Sequence, residues 1–364
     1  MTVAAEQPSL DELIRERDIL ICGGSGGVGK TTTAAVLALR AAELGRRAVV
    51  VTIDPAKRLA DALGLGGLTN EPSRIDGDFA GELWAMMLDT KSTFDALVGT
   101  YAADPEQRAR ILDNRFYRNI SGALSGTQEY MAMEKLYELH HSTDFDLIVV
   151  DTPPTRNALD FLDAPRRLTR FLDHRFYRLL TMSNRGPLKA VNMAAQSFVR
   201  SIARVVGADV IDDAIAFFQA FDGMEQGFKD RATKVEGLLR GGQTSFVLVA
   251  SPRRDTIDEA TFFAEKLVEA DIPVRALVVN RMHPRFAEGL AEATRERANS
   301  LGDQAIGDLY RNLADFQLVA SREDENLAGL AATVAPAPVV RVPFLRSDVH
   351  DLDGLREIET HLIA

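Results

Sequence analysis

Between Gly24 and Thr31 the chain reads GSGGVGKT: a glycine, four residues, then Gly29, Lys30 and Thr31. Glycines at this spacing let successive backbone N–H groups curl inward around phosphate oxygens without Cβ clashes. Those N–H groups would come from Gly26, Gly27, Val28 and Gly29. A helix opening directly after the loop would add the positive end of its dipole. The Lys30 ammonium would bridge the β- and γ-phosphates of a nucleotide, the Thr31 hydroxyl would ligate Mg²⁺, and the Thr32 hydroxyl would reach the α-phosphate.

Phosphoryl transfer to water needs two further groups, one to orient the water and a carboxylate near the metal. Asp54 in TIDPAKRLAD and Asp151 in LIVVDTPPTRNALDF each close an apolar run. Aspartate near proline is also ordinary turn chemistry. Two of them at strand ends in a chain with a phosphate loop favour the chemical role. The base can be read as well. A guanine reader offers Asn-Lys-x-Asp after a strand, whereas here VVNRMH has Asn280 and then His283 where that aspartate would fall. The expectation is therefore ATP, with Asn280 on the adenine edge and Pro343 of VPFLRSD packed along the base.

Holding these groups requires strands that end on one side of a sheet. Seven short apolar runs qualify: 18–23, 47–54, 82–89, 146–152, 245–251, 274–280 and 338–343. They are continuously apolar, which suits strands buried on both faces. Helical patterns such as Thr31–Leu44 and Thr256–Ala270 lie between them. The alternation predicts an α/β fold, a mostly parallel seven- to eight-stranded sheet flanked by helices. Residues 1–364 are read as a single ATPase domain. Two stretches, about 91–145 and 155–243, are too long for crossovers and read as helical insertions forming a subdomain. The second contains QSFVRSIARVVGADVIDDAIAFFQAF. Its apolar residues, with the insertion methionines, are either the insertion's own core or an exposed groove for an apolar client segment. The groove candidates are Met182, Met193, Phe198, Ile202, Ile215 and Phe218.

The net charge of −11 argues against a general nucleic-acid binder, so no nucleic acid is expected. Cys22 is the sole cysteine, which excludes an internal disulfide, and it reads as a small buried hydrophobe. No run approaches the length of a membrane span, and the first residues lack the pattern of a signal peptide. The expectation is a cytoplasmic chain with no integral membrane segment.

Taken together these motifs resemble the ArsA family of ATPases, which includes arsenical-pump and tail-anchored-protein-targeting members. GGVGKTT is similar to the family's loop, TIDPAKRLADALG to its first switch and DTPPTRNALDFL to its second. SGTQEYMAMEKL resembles its P-G-x-x-E helix through Gly126 and Glu129. The likeness is strongest to single-domain members of actinobacterial type. It implies an ATP- and Mg²⁺-dependent dimer with facing phosphate loops. Asp54 would orient the attacking water and touch the metal through water, and Asp151 would join the metal shell. Both switches would couple to a helical layer that binds and releases a hydrophobic client.

The chain departs from the family in three ways. One cysteine leaves no C-x-x-C zinc clasp and no cysteine site for arsenite. The family's loop also carries a signature lysine that reaches the partner's phosphates, and Ser25 stands there instead. The chain would then be a slow ATPase, or Lys57 or Arg58 would supply the charge, or the partner would be a paralogue that keeps the lysine. Lys57 and Arg58 read equally well as solvated charges of a helical turn. Homodimer and heterodimer thus both stand. A positioning ATPase of ParA or MinD type and a slow regulatory subunit are the alternative functions.

Overall fold

The computed structural model describes residues 8–54, 56–120, 127–153, 163–167, 169–170, 173, 208–302 and 305–363. Eight strands form one sheet: β1 (Ile19–Gly24), β2 (Arg47–Thr52), β3 (Ser73–Ile75), β4 (Glu82–Met87), β5 (Leu147–Asp151), β6 (Thr244–Ala250), β7 (Val274–Met282) and β8 (Val339–Pro343). Their order across the sheet is β3-β4-β2-β5-β1-β6-β7-β8, and every pair is parallel except β3–β4. All seven runs read from sequence are strands. The eighth, β3, is a three-residue antiparallel edge in SRI, too short and too polar to show in the apolar pattern.

β1 and β5 are buried along their whole length, as the absence of polar alternation requires. One face of the sheet carries α1 (Leu10–Glu16), α2 (Lys30–Glu43) and the last helix, here α13 (Leu352–Leu362). Their apolar residues close over Leu20, Val50, Val149 and Val247 in one continuous core. The other face packs α10 (Arg254–Glu269) and the long α12 (Ala305–Val334) against β1, β6 and β7. α3 (Arg58–Ala62) follows β2, and α11 (Ala291–Leu301) precedes α12. Among the described residues, no helix is long and apolar enough to cross a membrane.

By spatial contacts the chain divides into two units. The sheet and its helices comprise Met1–Met87, Ser142–Leu159 and Gly242–Ala364. The second unit comprises Leu88–His141 and Asp160–Gly241. Its described elements are helical: α4 (Thr90–Tyr101), α5 (Pro105–Leu112), α6 (Arg115–Ile120), α7 (Thr127–Ser142), α8 (Ala208–Ala220) and α9 (Glu225–Arg240). Asp89 caps α4, and Asp104 caps α5 with Pro105 in its first turn. The two inserted stretches are tied together by polar bonds to backbone. Gln107 donates to the Ala220 carbonyl at 2.8 Å and Asn114 to that of Asp213 at 2.9 Å. Tyr117 stacks on Phe94 and Phe217, and its hydroxyl donates to Asp95. Met131, Met133 and Met224 are buried in this unit, so these three methionines are core.

Candidate active site

The phosphate-type loop leaves the C-terminal end of β1, the strand where the sheet's connections diverge to either side. It turns into α2 through Gly29, which has φ of 96°. A Cβ there would lie 2.2 Å from Asn280 Nδ2, so the position demands glycine on both counts. Asn280 Nδ2 donates to the Val28 carbonyl at 3.0 Å, so the end of β7 braces the loop. α2 has no side-chain cap and no acidic residue in its first turn. The positive end of its dipole is therefore left uncompensated beside Lys30, Thr31 and Thr32.

Those three residues line a cavity of about 500 Å³. Gly27, Gly29, Asp54, Arg58, Asp151, Asn280 and Pro343 line it too. Val28 is buried behind the loop with its carbonyl turned to Asn280, and Gly26 is exposed outside the cavity wall. Lys30 is 7% exposed, and its ammonium donates to the Ser25 carbonyl at 2.8 Å. Burial draws its pKa below the ordinary lysine value, against the opposing pull of Asp151.

Asp151 is the most enclosed carboxylate of the cavity at 1% exposure. Parallel pairing sets it beside Thr52 on β2 and Cys22 on β1. Its Oδ2 accepts from Thr31 Oγ1 at 2.7 Å and from Thr52 Oγ1 at 2.9 Å. Its Oδ1 is buried with no hydrogen-bond partner among the described residues. Burial pushes its pKa above the ordinary carboxylate value, with the two threonine bonds opposing. A buried carboxylate oxygen without a donor is costly. A divalent cation shared with the Thr31 hydroxyl would satisfy it, so the donor set fits Mg²⁺.

Asp54 lies just past β2. Its backbone N–H donates to Thr52 Oγ1 at 3.3 Å, and its Oδ1 accepts from the Ala56 N–H at 3.0 Å. Thr52 thus bonds to both aspartates. Arg58 pairs with Asp54 Oδ2 at 3.2 Å, whereas Lys57 is exposed and does not line the cavity. Ser25 is 1% exposed, and its hydroxyl is buried without a partner among the described residues.

Several residues in or behind the cavity wall were not singled out from sequence. Thr52 had the signal of a polar residue closing an apolar strand. Arg281 had none, because only the bend after β7 brings it to the cavity. Phe344–Asp348 belong to the VPFLRSD run read with Pro343, and the lining continues past that run to Val349 and His350. Of the groove candidates, Ile215 and Phe218 on α8 are half-buried, and Phe218 lies 6.0 Å from Phe116, ring centre to ring centre. Met182, Met193, Phe198 and Ile202 lie outside the described residues, as does Gly126.

Comparison with known proteins gives one consistent result. The model of a family described as anion-transporting ATPase matches residues 17–363. An ATPase GET3 of Malassezia globosa is 27% identical over 280 residues, 76% of this chain and 77% of that protein. An ATPase ARSA2 of Chlamydomonas reinhardtii is 25% identical over 296 residues, covering 78% and 73%. An ATPase ASNA1 homolog of Dictyostelium discoideum is 25% identical over 308 residues, 84% of each.

Proposed function

Because the chain belongs to the anion-transporting ATPase (ArsA) family and is an ATPase of that family, we propose a specific cycle for it. ATP binds with its phosphates on the Gly26–Thr32 loop, is hydrolysed at Asp54, and drives a dimer that takes up and releases a hydrophobic client segment in the cytoplasm. The observation that carries the hydrolytic part is the Thr31–Asp151–Thr52 cluster, a buried carboxylate with one oxygen unpartnered beside the loop threonine. Thr31 and Asp151 would hold Mg²⁺, which when bound supplies charge neutralisation for the phosphates.

The chain's own groups divide the remaining work. Loop N–H groups and the α2 terminus bind the phosphates. Lys30 holds the β/γ region; its lowered pKa marks the burial that an incoming polyanion offsets. Asp54, partly exposed at the cavity edge, accepts a hydrogen bond from the attacking water and aligns it. Asn280 has one amide hydrogen and one lone pair left over for an adenine edge beside Pro343. In the dimer, Ile215 and Phe218 would belong to the helical unit's client surface.

The test is Mg²⁺-dependent phosphate release. Asp54→Asn is expected to lower turnover by about 10²-fold or more, the scale of a lost water-positioning group, while ATP binding persists. Unchanged hydrolysis would reject the role of Asp54. A second reading, a slow ATP-binding subunit beside a paralogue, is favoured by Ser25, whose buried neutral side chain offers no charge to a facing site. Normal turnover by the isolated chain would exclude it. The ParA/MinD-like alternative loses support from α13. Its apolar residues Leu355, Ile358 and Leu362 are packed in the sheet core, so the apolar face of this helix is not free for a membrane.

A further inference from the structure

At the end of β7 the backbone does something an arginine rarely permits. Arg281 has φ of 63°, one of three left-handed non-glycine residues among those described. The β7–β8 register breaks at this place, between Val279 and Met282. The Arg281 N–H is taken by the Asn280 side chain at 2.9 Å. Left-handed backbone is unfavourable for a long side chain that cannot bond back to its own main chain, and it persists where surrounding structure demands it. Bulges of this kind sit beside active sites and re-aim side chains.

Here the re-aimed side chain reaches the phosphate-type loop. Arg281 Nη1 donates to the Gly27 carbonyl at 3.3 Å, and the residue lines the same cavity as Gly29 and Lys30. The other cations around this cavity differ in how their charge is used. Arg58 is paired with Asp54, and Lys30 is buried on the Ser25 carbonyl. Arg346, exposed on the segment after β8, also lines the cavity, but among the described residues no hydrogen bond ties it to the loop. Among the described residues Arg281 forms no ion pair, and it is exposed. One long bond to a carbonyl leaves most of its five donors unused. A guanidinium beside a loop whose N–H groups face phosphate matches a polyanion in charge and in fork geometry.

We propose that Arg281 is a phosphate-contacting residue of this site, reaching over the glycine loop from the kink in β7 to the polyphosphate of the bound nucleotide. The inference rests on the reading of the cavity as an ATP site. It gives the site a cation in cis, from an element the loop motif does not include.

The experiment is calorimetric titration of the full-length chain with ATP, tripolyphosphate and adenosine in Mg²⁺, alongside thermal melts. Arg281→Gln is expected to weaken ATP and tripolyphosphate by about tenfold or more, the loss of a charged hydrogen bond, with adenosine unchanged. Arg281→Gly is expected to show the same loss with a Tm equal to or above wild type, because glycine relieves the left-handed backbone. Arg281→Lys is expected to fall between. Three results would overturn the inference: ATP and tripolyphosphate binding by Arg281→Gln within about twofold of wild type, an equal loss for adenosine, or a Gly variant that loses stability together with affinity. Wild-type protein that binds none of the three ligands would instead reject the ATP site itself, and this inference with it.

Discussion

Thr52 is the residue that ties the two catalytic candidates together. Its hydroxyl donates to Asp151 and accepts from the Asp54 N–H, so one side chain positions both strand ends. Thr52→Val keeps the shape and removes the donor. With Asp151 losing one of two bonds in a buried site, a loss of about 1–3 kcal/mol is expected in urea unfolding. The Mg²⁺ requirement of ATP turnover should rise alongside. Gly29 is the other decisive position. Gly29→Ala places a methyl on Asn280 at a left-handed φ, so it should cost about 1–3 kcal/mol and sharply weaken ATP binding by titration. Retained affinity would show that the brace from Asn280 to Val28 is dispensable.

At the scale of elements, α13 is the one whose role extends furthest beyond its own turn. It covers α2, and the segment leading to it, Phe344–His350, walls the cavity. Leu355, Ile358 and Leu362 are buried, at about 1.5–3 kcal/mol each. Leu355→Ala is expected to cost about 2–5 kcal/mol in chemical denaturation and to weaken ATP binding through the displaced wall. The polar side of the contact is pH-sensitive. Glu359 sits between Arg40, at 3.2 Å, and Glu43. Burial first, and then Glu43, push its pKa up to about 7 from the free value of 4.5. The folded state holds this proton more tightly than the unfolded chain. The contribution is therefore complete below about 4.5 and is lost as pH rises through about 7. Glu359→Gln should be more stable than wild type at about pH 8, with the gap closing toward about pH 5 in urea midpoints. A gap independent of pH would place the titration elsewhere.

For the whole molecule, nucleotide should act as a stabiliser of the sheet unit. ATP at a hundred times its Kd adds about 2.7 kcal/mol if only the folded state binds it. A scanning melt should then raise the transition assigned to the sheet unit. The dimer proposed above has no cysteine clasp to hold it without nucleotide. Asp54→Asn in Mg²⁺·ATP is expected to sediment as a dimer and to return to monomer when nucleotide is removed. A nucleotide-independent dimer would mean that some other surface carries the assembly.

What the residues alone determined was the class of machine. Seven continuous apolar runs can be satisfied only as strands covered on both sides, and the loop from Gly24 to Thr31 states its chemistry locally, through glycine φ freedom and a helix start. Asp54 and Asp151 were legible because each closes such a run. The edge strand β3 was not, because three residues with one buried side chain carry no period. What the tertiary structure alone decided depends on residues distant in sequence. Parallel register, not spacing, sets Thr52 beside Asp151, across 99 positions of chain. Asn280 reaches Val28, and Arg281 reaches Gly27, only because β7 is displaced from β1 by a single intervening strand and ends in a left-handed bend. Motif chemistry is written within a turn of the backbone. The company each charge keeps is set by which strand ends are neighbours, and that follows from the packing of the whole sheet.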